Sequence, residues 1–122
     1  LARLDDALEM KPRVVIILLG GNDFLKKIPR GETFANLEQI VTAFQRGGAI
    51  TVVVGVRSGI IGGGADDEFE ALAKKTGSVS VSDVLSGIFG HAELMSDAIH
   101  PNSVGYGRIA DRLAPLLLKY VK

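Results

Sequence analysis

Asp97 and His100 stand three residues apart in Ser96-Asp97-Ala98-Ile99-His100-Pro101-Asn102, just before an apolar C-terminal stretch. A carboxylate that orients an imidazole is the general-base half of a nucleophilic hydrolase site. The pair does chemistry only if a hydroxyl or thiol stands on the other side of the ring. The same residues also suit a turn leading into a helix, with Asn102 or Ser103 as N-cap.

A second candidate lies far upstream. In Gly20-Gly21-Asn22-Asp23 the Asn22 amide can donate to a developing oxyanion, and the glycines before it allow a sharp turn and leave room for a substrate. Alone, such a stretch equally closes a strand-end turn. The search for a nucleophile is less productive. The chain has no cysteine, which removes a thiolate nucleophile, thiolate metal sites and disulfides. Of its serines, Ser58 alone is expected at a strand's carboxyl end, and Val56-Arg57-Ser58-Gly59 is not a Gly-x-Ser-x-Gly elbow. The expectation is that the nucleophile lies outside this sequence.

Other motifs carry less. Gly59-Ile60-Ile61-Gly62-Gly63-Gly64 suggests a phosphate cradle but matches neither the Lys-Ser/Thr nor the Gly-x-Gly-x-x-Gly template, so a rim loop is expected. His91 has no partner at metal-ligand spacing. Asp66, Asp67, Glu68 and Glu70 suit the start of a helix, where the macrodipole favours them. Fourteen basic residues balance fourteen acidic ones, so no charge footprint points to nucleic acid. The longest apolar run, Val14 to Leu19, is too short to span a bilayer, and the compartment stays open.

These residues need elements to position them. Leu1, Ala7 and Leu8 with Leu4 mark the tail of a helix that Pro12 ends near Met10. Val14 to Leu19 and Ile50 to Val56 are apolar without alternation, as in strands covered on both faces. Thr33 to Arg46 has Phe34, Leu37, Val41 and Phe44 at helical spacing and closes at Gly47-Gly48. Asp66 to Lys75 reads as a short helix, Val79 and Val81 as a brief strand, and Ser82 to Asn102 as loop with one helical turn near 84–86. Val104 to Tyr120 is the last helix, which Pro115 is expected to kink or divide. Alternating buried strands and helices predict one open parallel α/β sheet with helices on both faces. Its strand ends would bring Asn22, the glycine-rich loop and the Asp97–His100 loop to one rim. The first strand, being so apolar, is expected to be central rather than an edge, which makes the chain look incomplete.

Gly20-Gly21-Asn22-Asp23 after an apolar strand resembles the third block of the SGNH, or GDSL, hydrolases. Asp97-Ala98-Ile99-His100-Pro101-Asn102, followed by Gly105-Tyr106 and a closing helix, resembles their fifth. Among subgroups the chain is most similar to the thioesterase I/lysophospholipase and arylesterase-like members. The resemblance implies a three-layer α/β/α fold of flavodoxin-like kind and hydrolysis of acyl esters or thioesters without metal or organic cofactor. It implies roles for Asn22 as oxyanion donor, His100 as general base and Asp97 as its orienting residue. It puts Asp23, Phe24, Leu25, Ile99 and Pro101 at the substrate, and makes Phe24 to Ile28 a mobile loop over the acyl groove. The first block, Gly-Asp-Ser-Leu with the nucleophile, and the second have no counterpart here. The resemblance therefore implies a single domain over residues 1–122 that is incomplete at its N-terminus, with a βαβ-sized piece or more as its partner. A catalytically silent module of the same fold and a flavodoxin-like anion-binding domain are the readings from other classes.

Overall fold

Two short apolar runs pair because each offers the other a full ladder of backbone groups. β1 (Val14–Ile17) and β2 (Ile50–Val54) run parallel with Val14 opposite Ile50 and Ile17 opposite Val53. β3 (Val79–Val81) adds to the other side of β2, also parallel, with Val52 opposite Val79. The computed structural model describes residues 1–56, 65–82 and 84–121, and the sheet order there is β1-β2-β3. The glycine-rich stretch 57–64, with Ser58 and the rim-loop expectation, lies outside the described residues.

Within the described residues the first strand has a neighbour on one side only. β2 is central, and β1 is an edge whose outer side has no strand partner among the described residues. Ile16 is accordingly 45% exposed, where Val52 and Val54 of the central strand are fully buried. Leu18 and Leu19 leave the ladder because the pairing with β2 stops at Ile17.

α1 (Leu4–Glu9) is a short surface helix ahead of β1. α3 (Arg30–Arg46) starts three residues earlier than its apolar spacing suggests, because Pro29 takes the N-cap and its carbonyl accepts the N–H groups of Glu32 and Thr33. It ends as expected at Gly47, with Gly48 in the left-handed region at φ 88°. α4 (Ala65–Thr76) packs beside α3, with Phe34 and Phe69 edge to face at 4.9 Å. Both helices cover one face of β2, where Gln45 of α3 donates to Thr51 at 2.9 Å. Val52 and Val54 point to the opposite face. The buried residues remaining to cover that face, Val84, Leu85, Ile88, Leu94, Ile109 and Leu113, come from the 84–94 segment and the last helix. The result is a three-layer α/β/α arrangement around a parallel sheet.

The 84–90 segment is a series of turns, and a single 3-10 turn forms at Ala92–Leu94 rather than near residue 84. α5 (Ser103–Val121) runs unbroken through Pro115. Pro115 cannot donate to the Asp111 carbonyl four residues back, but both residues are exposed, so water can satisfy the orphaned oxygen. Among the described residues no helix is long and apolar enough to cross a membrane.

Candidate active site

The Asp97–His100 loop is held shut at its base. Met95 and Pro101 form an antiparallel bridge, Asn102 N–H donates to the Leu94 carbonyl at 2.9 Å, and Ser96 N–H donates to the His100 carbonyl at 2.8 Å. Asn102 then caps α5: its Oδ1 accepts the N–H groups of Val104 and Gly105 at 3.0 Å each, and its amide reaches the Glu93 carbonyl. Gly105 lets the helix dock here. A Cβ on Gly105 would press into the Leu94 carbonyl and lie 2.8 Å from Pro101 Cβ. The capping arrangement and the acid–imidazole pair therefore coexist, and the cap fixes the loop that carries the pair.

Within that loop His100 Nδ1 lies 2.9 Å from Asp97 Oδ2 and 3.1 Å from Oδ1. The same carboxylate accepts the N–H groups of Ile99 and His100, each at 2.7 Å. The Ile99 N–H first, then the imidazole and then the His100 N–H, hold the Asp97 carboxyl down from 3.8 to about 2. Both side chains are more than half exposed, at 57% and 59%. A Coulombic attraction so open to water is weak, so the pair owes its geometry chiefly to the backbone N–H groups that pin the carboxylate. With Nδ1 turned to Asp97, the ring's Nε2 is left to act on a substrate or nucleophile.

Across the rim, Gly20 at φ 110° swings the chain out of β1 into α2 (Gly21–Leu25). The segment expected to be a strand-end turn and loop is thus a short helix at its start. Its second residue is Asn22, exposed and with no side-chain hydrogen bond among the described residues, so the amide hydrogens are available. Asp23 accepts a hydrogen bond from Thr33 Oγ1 at 3.0 Å. Phe24 points its ring into a cluster with Phe34 and Phe69, 6.4 Å from each, and does not line the cleft.

The two segments share one open cleft of about 490 Å³. Asn22, Asp23, Leu25, Ile99, His100 and Pro101 all border it, with Asp97 behind His100. Leu19, Asn36, Ile40, Phe89 and Tyr106 also border the cleft and carried no signal strong enough to single them out from the sequence, although Tyr106 stands within the fifth-block resemblance. His91 is exposed on the surface with Glu93 3.5 Å away. Glu68 pairs with Arg30 at 3.1 Å, which gives one of the acidic residues of α4 a structural partner. No group of three or more potential metal ligands occurs among the described residues.

The sequence and the fold are both similar to known proteins. The sequence matches the GDSL-like lipase/acylhydrolase family over residues 1–108. Curated proteins gave no match. Among solved structures, TesA is similar with a TM-score of 0.88 and 27% identity, over 98% of this chain and 71% of TesA. The psychrotrophic esterase EstA from Pseudoalteromonas sp., in a structure inhibited by monoethylphosphonate, is similar with a TM-score of 0.85 and 26% identity, over 98% of this chain and 69% of EstA. With a family match running from Leu1 into the last helix and a shared α/β/α fold, the chain belongs to the GDSL-like lipase/acylhydrolase family, the SGNH hydrolases, whose common activity is ester hydrolysis.

Proposed function

We propose that the protein bearing this chain hydrolyses acyl esters or thioesters by a serine–histidine–aspartate mechanism, with the nucleophilic serine on a segment outside these 122 residues. The observation that carries the reading is the 2.9 Å contact from His100 Nδ1 to Asp97 Oδ2 on the same cleft as the unpartnered Asn22 amide. Among the described residues no hydroxyl bonds to His100, so its Nε2 has no nucleophile to activate within them.

Asp97, ionised and acceptor-only, keeps the proton on Nδ1 and a lone pair on Nε2. That lone pair takes the serine proton as the serine oxygen attacks the acyl carbonyl. Asn22 donates to the oxyanion, and backbone N–H groups from outside the chain complete the hole. Collapse of the tetrahedral intermediate expels the alcohol or thiol, which receives the proton from His100. Water then enters by the same route and frees the acid. The apolar rim formed by Leu19, Leu25, Ile40 and Ile99 suits an acyl chain. No step calls for a metal or organic cofactor, and the partners are the small ester or thioester and the serine-bearing segment.

A short-chain p-nitrophenyl ester assay on the chain, with and without an N-terminal companion carrying Gly-Asp-Ser, tests this reading. Hydrolysis only with the companion, and its loss in His100→Ala, supports it. Equal hydrolysis by the chain alone would point to Ser58 and overturn the split assignment. No hydrolysis in either case would favour a silent module of the same fold. Because EstA is inhibited by monoethylphosphonate, a tetrahedral phosphonate is also expected to inhibit here.

A further inference from the structure

Thr33 and Thr51 are the two buried polar or charged residues in the described part of the chain. Thr51 belongs to a network at the far end of the sheet, but Thr33 lies on the first turn of α3, directly behind the candidate oxyanion loop. We propose that Thr33 is a positioning residue for the oxyanion donor Asn22, acting through Asp23. This inference rests on the role given to Asn22 above.

The argument begins with the weakness of α2. Five residues cannot sustain a helix on their own hydrogen bonds, so the direction of Asn22 is inherited from whatever holds α2 in place. The Asn22 side chain contributes nothing to this, having no partner among the described residues. Two anchors are present. One is the Phe24 ring, 6.4 Å from the centroids of Phe34 and Phe69. Ring contacts at that range tolerate sliding. The other is the hydrogen bond from Thr33 Oγ1 to Asp23 Oδ2 at 3.0 Å, which fixes both distance and direction. It is the stronger constraint because the acceptor carries charge and the donor is 1% exposed.

Thr33 also governs the entry to α2. The position a Cβ would take on Gly20 lies 3.7 Å from Thr33 Cγ2 and 3.4 Å from Phe69 Cζ. The threonine methyl thus backs the left-handed residue that starts the turn, while its hydroxyl grips the residue after Asn22. One β-branched side chain thus sets its methyl in the space beside Gly20 and its hydroxyl on Asp23, to either side of the oxyanion donor. Serine would keep the grip, and valine would keep the methyl and the shape while losing the grip.

The test uses the active enzyme containing this chain. Thr33→Val is expected to lower kcat roughly 10-fold, part of the 100- to 1000-fold that loss of one oxyanion donor costs, with KM little changed. Thr33→Ser is expected to restore kcat. In an Asn22→Ala background, Thr33→Val is expected to have no further effect, since the donor it aims is gone. A wild-type kcat for Thr33→Val overturns the proposal, as does a loss that serine fails to restore or that persists in full beside Asn22→Ala. Should Thr33→Val fail to fold, Thr33→Ala with and without Asn22→Ala reads the same coupling, with the same two outcomes. If Asn22→Ala alone leaves turnover intact while His100→Ala abolishes it, the oxyanion assignment fails and the proposal falls with it, whereas the hydrolase reading stands.

Discussion

Oδ1 of Asp97 accepts the main-chain N–H of His100 at 2.7 Å, while Oδ2 stands 2.9 Å from that residue's own Nδ1. One carboxylate thereby grips both the backbone and the ring of the proposed general base. Three residues of spacing suffice for this because the intervening chain curls so that Ile99 N–H also points at Oδ1. The imidazole is oriented by a closed local turn and needs no distant element to aim it.

The grip has a pH signature. Asp97 titrates at about 2 in the folded chain, against 3.8 for the free side chain. Its stabilising effect is therefore complete above about pH 4, and is lost as the pH falls from there through about 2, because the unfolded chain takes up a proton that the folded one refuses. Thermal midpoints of the wild type and Asp97→Asn are expected to differ at the top of that window and to converge at its foot. A constant difference across the window would mean that the carboxylate charge is irrelevant to the turn.

The same substitution separates orientation from charge in catalysis. Asparagine can still accept the Ile99 and His100 N–H groups, but its amide can donate to Nδ1 and favour the wrong tautomer. In the serine protease triad the equivalent change costs about 10⁴ in kcat. Here the pair is exposed rather than buried, so a smaller loss, about 100-fold or more, is expected in the active enzyme. An ester assay at neutral pH checks it, and turnover within a few-fold of wild type would remove Asp97 from the mechanism.

Asn22→Ala is expected to slow ester turnover by about 100-fold or more, on the scale of one oxyanion-hole donor. Because Asn22 is exposed and makes no side-chain hydrogen bond in the described structure, the fold has little to lose. A large kcat loss with an unchanged thermal midpoint is the outcome to look for. A parallel fall in both would make Asn22 a structural turn residue.

How much of this was readable from residue order depends on the range of the interaction involved. The apolar runs of β1 and β2 and the spaced residues of α3 and α5 announce themselves, since each pattern reports a face that must be buried. The parallel direction of the strands follows from helices lying between them. The α2 helix does not, because Gly-Gly-Asn-Asp is a turn by local preference, whereas the folded chain sets it between Gly20's left-handed backbone, the Thr33 bond and the Phe24 ring cluster. The edge position of β1 is equally invisible, since its apolar sequence says that it wants covering without saying by what. The His-Asp pairing was legible from spacing, but the Leu94–Asn102 closure that steadies it depends on backbone bonds that carry no residue signature.

Gly105→Ala should show how much that closure matters. Alanine is the better helix former by about 1 kcal/mol, so an unobstructed site would gain stability. Here the added methyl would press on the Leu94 carbonyl and crowd Pro101. Overpacking of this kind costs about 1–3 kcal/mol, and the expected net effect is a lower urea midpoint together with weaker turnover, as the loop bearing His100 is pushed outward. A more stable protein with normal activity would mean that α5 can shift to make room.

Thr51→Val probes the opposite end of the sheet and should uncouple stability from chemistry. Thr51 Oγ1 accepts from Gln45 Nε2 at 2.9 Å and lies 2.7 Å from Ser78 Oγ, which in turn is 2.8 Å from Thr76 Oγ1. Gln45 also donates to the Thr76 carbonyl at 2.8 Å, so the cluster ties α3, β2 and the end of α4 together. Valine matches threonine in shape but leaves Ser78 and the Gln45 amide each short of one partner next to a strand residue that is only 2% exposed. The cost of stranding such groups is about 1–3 kcal/mol. Because Thr51 sits near the amino end of β2, away from the strand ends that form the cleft, kcat and KM of the active enzyme are expected to stay at wild-type values while the urea midpoint falls. Loss of activity at full stability would reveal coupling through β2 that the hydrogen bonds alone do not predict.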